Sequence, residues 1–258
     1  MTLLAPVLSV TVTDPERPRA FSDPVSDDDN SVPPAIPAAT VVLLRDATDG
    51  IEVLLLRRDS RLAFAGGMWV FPGGRVDQDD YPLEGATDDL DPLLAAARSA
   101  AVREAKEEAD LDVDPDGLVW FAHWTPPPGE ARRFATWFFL ASAPEGSVVV
   151  DDGEIRDHRW MNPIDALSQR DAGDIELITP TWMTLRWLSQ VRTVDDALAR
   201  ARESEPVVYV TRIGRVEGGR AAFWEGDAAY DDGDTTKPGP RHRLTMLRDG
   251  TWHFEHEQ

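Results

Sequence analysis

The run Arg103-Glu104-Ala105-Lys106-Glu107-Glu108-Ala109-Asp110-Leu111 constrains this chain more than any other stretch of it. Its residues are mostly strong helix formers, and its glutamates recur at i, i+3 and i+4. With about 100° of rotation per residue, Glu104, Glu107 and Glu108 fall within an arc of roughly 100° on one side of a helix. Like charges that close repel, at a cost of a few tenths of a kcal/mol per exposed pair. A charged run of this kind is read in two ways. It is either a solvated helical face or a set of hard oxygen ligands for a divalent cation such as Mg²⁺ or Mn²⁺. Upstream, Phe71-Pro72-Gly73-Gly74 closes an apolar run, and its adjacent glycines let the backbone turn sharply and approach a ligand or metal. That combination favours the cation.

The spacing of capping and apolar residues places the carboxylates on a long helix. Asp91-Pro92 supplies a carboxylate cap followed by Pro at the first helical position. Leu93, Leu94, Ala97, Ala101, Ala105 and Leu111 form its apolar face, and the alanines imply close approach to a sheet. Strands are expected at Thr40–Leu44 and Ile51–Leu56, joined by the hairpin signal Asp46-Ala47-Thr48-Asp49-Gly50. Trp69-Val70-Phe71 extends this set up to a turn at Gly73-Gly74. Leu118–Trp124, Phe134–Ala141 and Glu154–Met161 read as further strands. Asn162-Pro163 starts a helix, Thr181–Val191 is amphipathic, and Asp195–Glu203 continues it or forms another. From Pro206 onward the chain turns to short β runs punctuated by Gly and Pro. Strands around one central helix, followed by strands and helices again, predict an α/β/α sandwich with a mixed β-sheet, plus a small β-rich C-terminal extension.

Three regions are expected. Residues 1–36, rich in Pro, Asp and Ser, read as a flexible tail. Residues 37–192 form the main domain, and residues 193–258 a helical connector and the β-rich extension. Within the main domain, Arg75 to Asp91 is an acidic segment, read as a solvated loop or as a flap beside the cation.

These motifs resemble the Nudix hydrolases, whose signature runs Gly, five residues, Glu, seven residues, then Arg-Glu-apolar-any-Glu-Glu-any-Gly-apolar. Gly74 matches the opening Gly; Arg103, Glu104, Ala105, Glu107, Glu108 and Leu111 match the second half. Gly74 and Arg103 stand 29 positions apart where the plain signature has 14, so 15 residues are inserted. The split box resembles that of the coenzyme A diphosphatases. Asp110 takes the place of the signature's second Gly, and the first Glu has no clear counterpart; Asp80 lies six residues after Gly74. The resemblance spans roughly Ala38 to Val191 and implies the same sandwich fold. It implies hydrolysis of a diphosphate linkage in a nucleoside diphosphate derivative, with coenzyme A or an acyl-coenzyme A as candidate substrates. It also implies Mg²⁺ or Mn²⁺ held by Glu104, Glu107, Glu108 and a backbone carbonyl at Gly74 or Gly73, with Arg103 orienting the carboxylates. Glu104 is one candidate base; Glu154, opening a later strand, is the other. Ala63 stands where the coenzyme A motif has Arg. The alternatives are an ADP-ribose or NADH pyrophosphatase and a Nudix-fold module that senses a nucleotide without cutting it.

The net charge of −21 argues against a nucleic-acid partner. A polyanionic small molecule must then be received by local arginines, for which Arg57, Arg58, Arg75 and Arg133 are the candidates, each with a surface ion pair as the alternative. No apolar stretch reaches the ~20 residues of a membrane helix. With no Cys in the chain, disulfides, thiolate zinc sites and cysteine nucleophiles are excluded, and a cytoplasmic location is expected. A homodimer is compatible with the sequence. The five histidines lack helical metal-ligand spacing. Trp124 and Trp137 are candidates to stack on a base, with a core role as the alternative.

Overall fold

The computed structural model of the chain describes residues 34–62, 64–83, 91–129, 132–150 and 153–257. The expected tail lies outside the described residues up to position 33, as does most of the second half of the acidic insertion. Two strands, β1 (Ile36–Ala47) and β2 (Gly50–Arg58), form the predicted hairpin, with Ala47 opposite Gly50. Gly50 has φ 124°, a conformation that side chains resist.

Both strands alternate between two apolar environments. Ala39, Val41, Leu43, Leu54 and Leu56 face one cluster; Val42, Leu44, Val53 and Leu55 face the other. A strand buried on both sides reads as a continuous apolar run, as Val41-Val42-Leu43-Leu44 does. Each such Leu or Val, fully buried, stabilises the fold by about 1.5–3 kcal/mol.

Short strands β3 (Trp69–Val70) and β4 (Gly73–Arg75) follow. β4 corrects the expected turn: Gly73 pairs with Thr40 and Gly74 with Ala39, antiparallel to β1. These glycines are therefore needed for room. A Cβ built on Gly73 would lie 2.5 Å from the Ala39 carbonyl oxygen.

Helix α1 (Pro92–Ala109) begins as predicted, the Asp91 carboxylate accepting from Leu93 N at 2.9 Å. Ala97, Ala100, Ala101, Ala105 and Ala109 are all fully buried against the sheet, so small side chains set the close helix–sheet spacing. The helix ends at Asp110, left-handed at φ 54° and ψ 37°, with Leu111 N donating back to Ala105 O. This is the closure that Gly usually supplies. For Asp the left-handed conformation costs roughly 1 kcal/mol, and a 2.7 Å ion pair between Asp110 and Lys106 lies beside it.

Strands β5 (Val119–Thr125), β6 (Phe134–Ser142) and β7 (Ile155–Met161) complete the body of the sheet, and helices α2 (Pro163–Asp171), α3 (Thr179–Leu188) and α4 (Val194–Glu203) follow. With β8 (Val207–Val210) at its edge, the eight-stranded sheet runs β3-β2-β1-β6-β5-β8, with β4 beside β1 and β7 beside β2. The β1–β6 and β5–β8 pairs are parallel and the others antiparallel. Helix α1 covers one face; α2, α3 and α4 contribute to the apolar cluster on the other. The α/β/α sandwich with a mixed sheet is thus the observed architecture. The β-rich extension is a four-stranded antiparallel sheet of β9 (Arg212–Val216), β10 (Gly219–Phe223), β11 (His242–Leu247) and β12 (Trp252–His256).

The second apolar cluster runs from Val42 through Leu198 to Trp224 and Leu244, across the expected boundary at residue 192. Trp124 belongs to it, 4% exposed and stacked 3.9 Å from Tyr209, so the core reading holds for that residue. Among the described residues, no helix is long and apolar enough to cross a membrane.

Candidate active site

Helix α1 and strand β4 meet where the helix turns its carboxylates toward the sheet. Glu108, in the last turn of α1, is only 6% exposed. Its Oε2 accepts from Gly73 N at 3.0 Å, and its Oε1 lies 3.6 Å from Arg58 Nη1. Burial pushes its carboxyl up to about 8; the Gly73 N–H opposes this and the neighbouring Glu104 adds to it. Glu104 is also shifted upward, by burial first, against the pull of Arg103 and with Glu107 and Glu154 adding repulsion. Across from it, a Cβ on Gly74 would overlap the Glu104 carboxylate. Gly74 is therefore glycine because a carboxylate occupies the space a side chain would take.

Arg103, expected to orient the carboxylates, lies among them. It donates to Glu104 Oε1 at 2.8 Å, to Glu107 Oε2 at 3.0 Å and to the Arg75 carbonyl at 2.9 Å. Its strongest contact went unassigned from sequence. Asp80, buried at 7% exposure, takes a two-pronged bond from Arg103 Nε at 3.0 Å and Nη2 at 2.9 Å. Burial disfavours the Asp80 carboxylate, yet the Arg103 fork and the Asp77 N–H hold its carboxyl below the usual range. The spacing of six from Gly74 was the available signal. Asp80 stands six residues after Gly74, the spacing the signature gives its first Glu, and the 15 extra residues lie between it and Arg103.

The other predicted residues divide. Glu107 is 57% exposed and meets only the rim of the cluster. Glu154, 59% exposed, lies near Glu108 and Glu104, its Oε2 3.0 Å from Arg58 Nη2. Arg58 is therefore part of the site, between Glu108 and Glu154. Arg57 lies next to it at the end of β2, whereas Arg75 pairs with Asp77 at 3.4 Å. Arg133 donates to the Pro126 carbonyl at 3.0 Å, in the loop between β5 and β6.

A buried and a half-buried carboxylate that repel each other, both shifted upward and facing a side-chain-free strand, are suited to a hard divalent cation. Among the described residues, no three Asp, Glu or His side chains already converge as a ready-made metal cluster. The fit rests on the donor chemistry of Glu104 and Glu108 and on the Gly74 cradle.

Residues 91–181 match the NUDIX domain. The putative nudix hydrolase 7 of Caenorhabditis elegans is 24% identical over 184 residues, covering 61% of this chain and 62% of that protein. The chain therefore spans less than two thirds of that relative's length. The crystal structure of a NUDIX hydrolase from Alicyclobacillus acidocaldarius superposes with a TM-score of 0.55 at 24% identity, over 64% of this chain and 96% of that one. That likeness is one of fold.

Proposed function

We propose that this chain, whose match to the NUDIX domain takes in the helix half of the box, is a Nudix hydrolase that cleaves the diphosphate bridge of a nucleoside diphosphate derivative with a divalent cation. The observation that carries this reading is Glu108: buried, raised to about 8, and facing Glu104 and the Gly73–Gly74 strand. A carboxylate that burial disfavours is an expensive feature in a structural role, and a cation offsets its cost.

Glu104, Glu108 and the more exposed Glu107 would hold Mg²⁺ or Mn²⁺, with the Gly74 carbonyl as a further oxygen. When bound, such a cation lowers the pKa of a water molecule and neutralises phosphoryl oxygens. The chain's own residues supply the rest. Arg103 fixes Glu104 and Glu107 in place. Arg58 offers a guanidinium to the diphosphate, and Arg57 a second one at the same strand end. Glu154, exposed and adjacent, takes the proton of the attacking water. Coenzyme A or an acyl-coenzyme A is the leading substrate, ahead of ADP-ribose and NADH.

If Glu154 is the base, Glu154→Gln lowers kcat by about 10²–10⁴-fold and leaves cation affinity unchanged. A pH–rate profile identical to wild type would reject that assignment and return the role to Glu104. The reaction class is tested by incubating the protein with Mg²⁺ or Mn²⁺ and coenzyme A, ADP-ribose, NADH, diadenosine polyphosphates and dNTPs in parallel. Cleavage of one member at its diphosphate is the expected result and identifies the substrate. Tight binding without turnover of any of them would establish the sensing module instead.

A further inference from the structure

The end of β2, the residues after it and the start of β7 enclose a cleft of about 350 Å³, lined by Arg57, Arg58, Asp59, Ser60, Arg61 and Arg156. The chain carries 47 acidic residues against 26 lysines and arginines, yet four arginines and a single carboxylate line this cleft. Asp59 is buried and serves as their anchor. It accepts from Arg61 N at 2.8 Å, Arg61 Nη2 at 2.7 Å and Arg156 Nε at 2.6 Å. The Arg61 and Arg156 bonds hold its carboxyl well below the ordinary range, so it stays an anion.

One buried anchor therefore fixes two arginines that reach it from positions 97 residues apart in the case of Arg156. The Arg61 side chain remains 77% exposed and that of Arg156 41% exposed. A guanidinium has five N–H donors in a planar fork; Arg61 uses Nε and Nη2 on Asp59. Pre-fixed arginines bind an anion with less loss of side-chain freedom than mobile ones.

The position of the cleft gives it meaning. Arg58 lines it and also lies 3.6 Å from Glu108 and 3.0 Å from Glu154. One guanidinium thus separates the cleft from the carboxylates of the candidate active site. We propose that the cleft is a second anion subsite, in which Arg61 and Arg156 receive a phosphate monoester carried by the substrate apart from its diphosphate bridge. This rests on the diphosphate-hydrolase reading and narrows it: the substrate is a nucleoside diphosphate derivative with an additional phosphate on its sugar. A phosphate monoester suits the site because its oxygens accept paired bonds from guanidinium forks.

The test compares substrates that differ only in that phosphate: coenzyme A with 3′-dephospho-coenzyme A, and NADPH with NADH. Wild-type protein is expected to favour the phosphorylated member of at least one pair by about tenfold or more in kcat/KM, the effect of one or two charge-assisted hydrogen bonds. In Arg61→Gln, which leaves Arg156 on Asp59, that ratio should fall severalfold through KM for the phosphorylated member. Equal rates on both members of each pair, or a preference unchanged in Arg61→Gln and Arg156→Gln, would overturn the proposal. Calorimetric titration with adenosine 3′,5′-bisphosphate and with AMP decides the matter if no pair is cleaved. Tighter binding of the bisphosphate that is lost in Arg61→Gln supports the subsite even as the hydrolase reading fails; equal affinities overturn it.

Discussion

Replacing Glu108 by Gln is expected to abolish cation-dependent turnover while the protein still unfolds in one cooperative transition. The loss should exceed the ~10–100-fold that follows removal of an outer partner of a metal ligand, because Glu108 would itself be the ligand. The fold should persist for a physical reason. Glu108 is buried against its own charge preference, and Gln keeps an oxygen that can accept from Gly73 N, the 3.0 Å bond present in the native protein. Arg58 loses its 3.6 Å neighbour but keeps Glu154 at 3.0 Å. Steady-state kinetics with Mg²⁺ on the cleaved substrate, alongside a thermal melt, checks both halves. Near-normal turnover in the variant would exclude this site.

The second large effect is on stability in a chelator. The Glu108 carboxyl has its ordinary value of 4.5 in the unfolded chain and about 8 in the folded protein. Between these values the folded state binds more protons than the unfolded one, so stability falls as pH rises. The shift corresponds to on the order of 5 kcal/mol across the whole window. Glu104, also shifted upward, acts in the same direction. The depressed carboxyls of Asp59, Asp80 and Asp227 act in the opposite sense, stabilising above their unfolded values, and their contributions are lost only in acid. Half-buried His123 and His242, held below their ordinary values by desolvation, add stability as pH rises only to about pH 7. Chemical denaturation in EDTA between pH 7 and 9 therefore isolates the glutamates. Wild-type stability is expected to decline over that range, Glu108→Gln to decline much less, and Mg²⁺ to restore the wild type most strongly at the alkaline end.

Most of the fold was legible because burial on both faces of a sheet leaves a plain mark in sequence. Val41–Leu44 and Val53–Leu56 could hardly be anything other than interior strands, and Asp91-Pro92 fixed where the helix starts. Gly73 and Gly74 misled for an instructive reason. Glycine signals both backbone freedom and lack of bulk, and only the pairing with β1 and the nearness of Glu104 show that bulk is at issue. The carboxylates of α1 were readable from helical spacing alone. Asp80 was hidden by its company: amid Asp77, Asp79 and Glu84 it reads as one more solvated acid, although it is buried on Arg103. The Asp59 anchor could not have been found, since no local pattern joins it to Arg156 across the sheet.

The proposed chemistry depends on Glu108 and Glu104 of α1 holding a divalent cation. Calorimetric titration of Mn²⁺ into the protein at pH 7, repeated in buffers of different ionisation heat, measures affinity and proton release together. Binding should expel up to about one proton per cation from wild-type protein, because a carboxyl at about 8 is mostly protonated at that pH. Glu108→Gln should bind far more weakly and release fewer protons. Equal Mn²⁺ affinity in both proteins, with no protons released by either, would contradict a cation site on these glutamates.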